Sequence, residues 1–310
     1  MGREREPDAV SECYRRMRAV LREVARQQNH LSDPRCVYND STILLTALWA
    51  ALHNKPISWA TLARNWPGKL RPRPPVPGSR GLPSQSCMSR RLRQDSSVLE
   101  LLEAWQTALR RQLISSDVKL IDGRGLVVGG CSKDRDAGFG YTAGTMARGY
   151  KLHWIIDAVS GAVDGWLVAP MNYSEQQAAQ LLIPHLPERT RYVLLDNNYD
   201  HNDLYEQAGV EQHAQWMAVP RRTAKGLGHQ QHSDWRRAVQ PWLRSDRGRH
   251  TMAHARIVIE QVNGRIGCSQ VGLSHLPYHA RRIHRVTLWV ALKILILTDL
   301  QSVTQRRMFQ

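Results

Sequence analysis

Apolar residues recur at helical spacing through the first quarter of the chain and at strand spacing through its middle. Val10, Cys13, Met17, Val20, Leu21 and Val24 form one stripe, with Arg15, Arg16, Arg18, Arg22 and Arg26 mostly off it, which predicts a basic amphipathic helix. A more apolar helix is expected over Ser41–His53, closed by an Asn-Lys-Pro turn, and a third over Ile57–Trp66, closed by Pro67 and Gly68. Between Pro67 and Pro83 the stretch GKLRPRPPVPGSRGL predicts a semi-extended basic connector. Ser84 or Ser86 then caps a short helix that carries Arg90, Arg91 and Arg93. Such a helix suits either a groove reader or a phosphate-binding face, and the pattern leaves both open.

From about Asp117 the periodicity changes. DVKLIDGRGLVV alternates and then runs apolar, and YKLHWIIDAV and VDGWLVAP flank Ser160 and Gly161 as a β-hairpin. Glu175–Leu186 has helical spacing apart from Pro184, RYVLLD is a short buried strand, HNDLYEQAG is a helix ended by Gly209, and QWMAVP is a further strand. Asp200 is placed to cap the helix that follows it. The apolar run Val286–Leu297, too short to span a bilayer and interrupted by Lys293, predicts a buried core helix. Three strands with a hairpin, followed by alternating helix and strand, give the order of the ribonuclease-H-like fold. The expected architecture is an α/β domain with a mixed five-stranded sheet flanked by helices, over residues 113–300. A helical region over 1–112 precedes it and a tail over 301–310 follows.

Charge narrows the partners. Lys and Arg number 43 against 27 Asp and Glu, a formal charge of +16, which favours a polyanion such as nucleic acid. The five cysteines are scattered without metal-binding spacing, and the charged N-terminus has no signal-peptide character, so reduced thiols in the cytoplasm are expected. GRGLVVGG lacks the third glycine of a dinucleotide fingerprint, because Val128 stands there, and no P-loop occurs, so no nucleotide cofactor is indicated. The thirteen histidines are too dispersed to form a metal cluster.

Three carboxylates stand where this order of elements makes chemistry possible. Asp122 lies inside an apolar strand, and a buried carboxylate there needs a cation, hydrogen bonds or a metal. Asp196 ends a strand expected beside the first, although turn or capping chemistry explains an aspartate there equally well. Glu260 shares a polar helical stripe with Arg256 and Asn263, beside the apolar stripe Ile259, Val262 and Ile266, and a surface ion pair with Arg256 is its plain alternative. Together the three would form an oxygen-only site suited to hard divalent metals such as magnesium or manganese. Lys151 and His153 alternate onto one strand face and are candidates to line that site. The basic stretch before the Glu260 helix contains Arg221, Arg222, Lys225, Arg236, Arg237, Arg244, Arg247 and Arg249, interleaved with Trp235 and Trp242. It fits a clamp on DNA strands, or a solvated loop.

IDGRGL, SKDRDAGFG, GYKLH, LLDNNYD and the R-x-x-x-E of Arg256 and Glu260, in this order, resemble the catalytic core of the bacterial cut-and-paste DDE transposases, specifically the insertion sequence four group. ILLTALWAALHNKPISWATLARNWP and LPSQSCMSRRLR resemble that group's N-terminal DNA-binding region. The resemblance implies Asp122, Asp196 and Glu260 as catalytic acids holding two Mg2+ or Mn2+ ions. It also implies cleavage at inverted-repeat ends followed by strand transfer, a hairpin intermediate, and a homodimer on paired DNA ends. Such a protein would be cytoplasmic and nucleoid-associated. The group's tyrosine and lysine positions are Ala253 and Gly267 here, so Arg256 or Arg265 would have to supply those phosphate contacts, and Asn197 and Asn198 replace the usual pair after the second acid. Two other readings share the same residues: a ribonuclease-H-like endonuclease, and a transposase-derived DNA-binding regulator without catalysis.

Overall fold

The computed structural model describes residues 8–29, 36–72, 81–129, 132–142, 144–220 and 232–308. Residues 73–80 of the expected connector, Cys131, and Arg221, Arg222 and Lys225 of the expected clamp lie outside them. The chain divides into two compact units. One contains the described residues up to Leu113, Cys268–Leu273 and those from His279 onward; the other contains Ile114–Gly267 and Ser274–Tyr278.

In the first unit, α1 (Ala9–Gln27) buries Cys13, Met17, Leu21 and Val24 of its expected apolar stripe, and Tyr14 beside them. Helix α2 (Asp40–Leu52) is apolar on nearly every face and is buried accordingly. The third expected helix breaks into α3 (Ile57–Ala60) and a 3-10 turn at Ala63–Asn65. Side chains take the carbonyls a continuous helix would need: Trp66 Nε1 donates to Ala60 O at 2.7 Å, Asn65 Nδ2 to Trp59 O at 2.7 Å, and Trp49 Nε1 to Asn65 O at 2.9 Å. Ser84 caps α4 (Gln85–Gln94), its hydroxyl accepting from Cys87 N at 3.2 Å. Helix α5 (Ser96–Arg110) and α10 (Ile283–Met308) complete the unit.

The closing helix is longer than its apolar run suggests and extends to Met308, into the expected tail. It is long and apolar enough to cross a membrane, but 78% of its apolar window is buried within the protein. It packs with the helical unit and not with the sheet domain in which the sequence pattern placed it. Lys293 inside it donates to Ala51 O and Asn54 Oδ1, both at 2.6 Å, and burial lowers its pKa to about 7.

The second unit is built on β1 (Val118–Val127). It pairs antiparallel with β3 (Thr145–Asp157) and parallel with β5 (Tyr192–Leu195), which pairs parallel with β6 (Gln215–Ala218). The far edge of β3 pairs with β4 (Val163–Pro170) along Tyr150–Ile156 and with β2 (Gly138–Thr142) along Thr145–Gly149. The sheet is thus mixed and ribonuclease-H-like in order, but it has six strands, not the five expected. The extra one, β2, has the sequence GFGYT, to which the pattern assigned no element. A Cβ at Gly138 would lie 2.0 Å from Asn172 Oδ1 and one at Gly140 2.6 Å from Met171 O, so close packing selects glycine there.

Helices α6 (Glu175–Leu182), α7 (Asn202–Gln212), α8 (Asp234–Arg244) and α9 (Asp246–Gly267) flank the sheet. Gly209 does not end α7, which closes at His213 in the left-handed region, φ 51°. Gly209 instead lies against the Trp235 ring, 2.3 Å from where its Cβ would be. The N-cap position of α7 is His201 and not Asp200, which is buried and pairs with Arg236 at 2.9 Å.

One buried charge cluster locks the hairpin to β1. Lys119, fully buried, lies 2.8 Å from Asp157 and 2.7 Å from Asp164, and donates to Ser115 at 2.9 Å. Burial opposes ionisation of Asp157, yet hydrogen bonds from Lys119, Ser160 and Ser116 hold its carboxyl well below the usual range. Its contribution is therefore full above the unfolded carboxylate pKa of about 4 and is lost as pH falls through the lower folded value. Lys119→Ala leaves two buried carboxylates facing one another and is expected to cost about 3–5 kcal/mol at neutral pH. Urea denaturation as a function of pH checks this, with the deficit shrinking as the solution is acidified below the carboxylate range.

Candidate active site

The β1–β5 ladder brings two acids together. Its register pairs Leu120 with Leu194 and Ile121 with Leu195, so the next residue on each strand is an aspartate, Asp122 on β1 and Asp196 just beyond the end of β5. Residues in register on neighbouring strands point to the same face of a sheet, so the two carboxylates lie side by side at one end of the ladder. They line two adjoining cavities of about 470 and 500 Å3.

Helix α9 forms the wall of the larger cavity. Val262 and Ile266 bury their side chains while Arg256, Ile259, Glu260 and Asn263 line it with both aspartates. The helix is tied to β1 through the sequence after the first acid: Arg124 donates to the Asn263 carbonyl, and its Nη1 lies 3.4 Å from Asn263 Oδ1. Asn263 Nδ2 in turn donates to Asp122 Oδ2 at 3.2 Å. At the N-terminus of α9, a Cβ on Gly248 would lie 2.0 Å from Trp242 O, so glycine permits α8 and α9 to meet closely.

Burial raises the Asp122 carboxyl above its ordinary pKa, with Glu175 and Asp196 adding like-charge repulsion. Hydrogen bonds from Gly123 N–H and Asn263 work against that rise. Asp196 accepts from Asn197 N at 2.6 Å and so caps the 3-10 turn Asn197–Tyr199 while its exposed carboxylate borders both cavities. The capping chemistry and a place at the cavity coexist in this residue. Glu260 lies 3.9 Å from Arg256, and the two side chains are 71% and 74% exposed, so this pair holds neither strongly. Among the described residues, no three His, Cys, Asp or Glu side chains are gathered closely enough to hold one ion. The donor set nevertheless suits a hard divalent cation, because it offers only oxygens and its negative charges repel one another.

The other basic candidates separate into exposed and structural groups. Arg256 borders both cavities, and Arg90, Arg93, Arg237 and Arg265 are exposed. Arg91 is buried between Asp40 and Asp95 and donates to Tyr38 O at 2.9 Å, so it fastens α4 and does not face a DNA groove. Arg236 is also buried, on Asp200 and Asn202, because α8 packs over α7. His153 is fully buried, with neither ring nitrogen hydrogen-bonded among the described residues. Burial and the nearby Lys151 lower its pKa to about 3, so it is a neutral core residue and does not line the site. Lys151 does line the smaller cavity, paired with Glu175 at 2.7 Å.

Glu175 was not singled out by the pattern, because in NYSEQQ it reads as an ordinary acidic first-turn residue after the Ser174 cap. Its proximity to Asp122 comes from the packing of α6 on the sheet. At the positions where the resemblance departs, Ala253 borders the larger cavity. A Cβ on Gly267 would lie 3.0 Å from Arg124 Nη2, placing a guanidinium beside the position of the missing lysine.

A model of the family described as transposase DDE domain matches residues 115–297. No curated protein matches the chain. Among solved structures, the cryo-EM structure of a piggyBac transposase synaptic complex with hairpin DNA is similar with a TM-score of 0.45 and 9% identity, over 98% of this chain and 69% of that one. The family match spans the sheet and both strands that carry the paired aspartates, as well as α9: the chain belongs to the transposase DDE domain family.

Proposed function

We propose that this transposase cuts DNA at the inverted-repeat ends of an insertion sequence and joins the freed ends to target DNA, in a reaction dependent on Mg2+ or Mn2+. The observation that carries the proposal is the convergence of Asp122, Asp196 and Glu260, from two adjacent strands and a helix, on one cavity. Asp122 and Asp196, with Glu260 turned from Arg256, would hold two divalent ions. When bound, such ions supply Lewis acidity to the attacking and leaving oxygens of a phosphodiester.

The chain's own residues position the substrate and the carboxylates. Asn263 orients Asp122, and Arg124 fixes the part of α9 that carries Asn263. Arg256, exposed where the two cavities adjoin, would bind the scissile strand's phosphate and exchange Glu260 for it. Lys151 compensates the Glu175 carboxylate, limiting repulsion on Asp122. Hydrolysis would leave a 3′ hydroxyl, whose attack on a second phosphodiester joins the strands without an external energy source. Holding two ends at once calls for a homodimer on paired repeats. Arg90 and Arg93 on the exposed side of α4 suit phosphate contacts, and the excess of cations over anions suits a nucleoid-associated cytoplasmic protein.

That no three acids among the described residues are gathered tightly enough for one ion, together with Ala253 and Gly267, favours one other reading, a transposase-derived DNA-binding protein without catalysis. Cleavage of a labelled duplex bearing the native flanking repeats, with Mg2+ or Mn2+, separates the two. Asp122→Ala, Asp196→Ala and Glu260→Ala are each expected to slow strand cutting by at least about a thousandfold while leaving repeat binding intact. Full cutting by any variant removes that residue from the mechanism. Binding without cutting by the unmodified protein establishes the regulator, and cutting that ignores the repeat sequence establishes an endonuclease.

A second test follows from the raised pKa of Asp122. An acid whose folded pKa lies above its unfolded value destabilises the fold once pH exceeds the folded value, and not below the unfolded one. In chelator-treated protein, Asp122→Asn is expected to raise the melting temperature near pH 8, while abolishing cutting in metal-supplied assays. The thermal gain should vanish as pH falls below the ordinary carboxylate range; a lower melting temperature at pH 8 contradicts the assignment.

A further inference from the structure

The β2–β3 hairpin has two unlike faces. Toward the protein it presents Gly138 and Gly140, whose missing side chains let the strand lie against Asn172 and Met171. Phe139 and Tyr141 alternate with those glycines and are 63% and 70% exposed. The register sets Phe139 opposite Arg148 and Tyr141 opposite Met146, itself 57% exposed, so these four residues share the outer face. Arg148 lies 5.5 Å from the centre of the Phe139 ring and is held rigidly by carbonyls, donating to Ser132 O at 2.8 Å and to Asp134 O.

An exposed apolar face of this kind normally marks an interaction surface. Its position narrows the occupant, because Tyr141 and Thr142 also line the cavity bordered by Asp122 and Asp196. A DNA strand bound at those carboxylates would run directly alongside the hairpin. Bases offer flat π faces to rings and to guanidinium groups, whereas phosphates are served by the abundant cations. The usual ladder chemistry of a hairpin does not require exposed rings at both alternate positions, and the inner face of β2 shows that bulk was removed from the other side.

We propose that Phe139 and Tyr141, backed by Arg148 and Met146, form a stacking platform for an unpaired nucleobase of the DNA strand engaged at the aspartates. The proposal rests on the reading of that cavity as a DNA site. It adds a base-recognition surface to a centre otherwise described only through carboxylates and phosphate contacts.

Fluorescence anisotropy with the full chain in chelator tests it, using a labelled single strand and an abasic strand of equal length and charge. The unmodified protein is expected to bind the base-bearing strand about tenfold more tightly than the abasic one. In the double variant Phe139→Ala, Tyr141→Ala the ratio should fall to about one with abasic-strand affinity unchanged, and Tyr141→Phe alone should preserve the preference. Because both side chains are exposed, the double variant should retain its melting temperature. An unchanged ratio in the double variant overturns the platform. So does a double variant whose only effect is to dissociate a dimer in sedimentation, which assigns the face to a second copy of the chain. The assay needs no cutting: base preference without metal-dependent cleavage sinks the catalytic reading and supports the platform, and cleavage without base preference does the reverse.

Discussion

The parallel register between β1 and β5 is the constraint on which the site depends. Ile121 opposite Leu195 fixes Asp122 beside Asp196, and a slip of one residue would turn one of the two carboxylates to the opposite face of the sheet. Apolar burial on both strands enforces that register, with Leu120, Ile121, Val193, Leu194 and Leu195 all in the core. The Lys119 cluster holds the other edge of β1 to the β3–β4 hairpin. Residues remote from the cavity thus determine where its acids stand.

A second tether runs through the sequence after the first acid. In IDGRG, Gly123 and Gly125 leave room for Lys151, His153 and Thr142 to approach, and Arg124 reaches α9. Asn263 then connects that helix back to Asp122. The short motif is therefore both a carboxylate site and the joint between sheet and helix. Its glycines are demanded by neighbouring side chains, since a Cβ at Gly125 would lie 2.1 Å from Thr142 Oγ1.

Periodicity made the long elements legible because burial and local spacing agree there. The stripe of α1, the apolar α2, the β3–β4 hairpin and the β1 and β5 strands are all of this kind. Asp122 was visible as a polar interruption of an apolar run and Asp196 as the acid that ends one. Elements chosen by tertiary contact were not: the pattern assigned no strand to β2, Gly209 looked like a helix stop, and Glu175 reads as an ordinary first-turn acid. Cations were the least legible residues. Composition counts them but does not say that Arg91 and Arg236 are consumed by buried carboxylates while Arg256 stays open to the cavities.

Whether three carboxylates from separate elements serve one site is read most directly by localised oxidative cleavage of the chain. With Fe2+ replacing Mg2+ in the presence of ascorbate and hydrogen peroxide, hydroxyl radicals cut backbone close to the bound ion. A shared site gives cuts clustered near Asp122, Asp196 and Glu260, all suppressed by excess Mg2+ and lost together in Asp122→Ala. Cuts near the two aspartates alone, or cuts near Glu260 that survive Asp122→Ala, would contradict it.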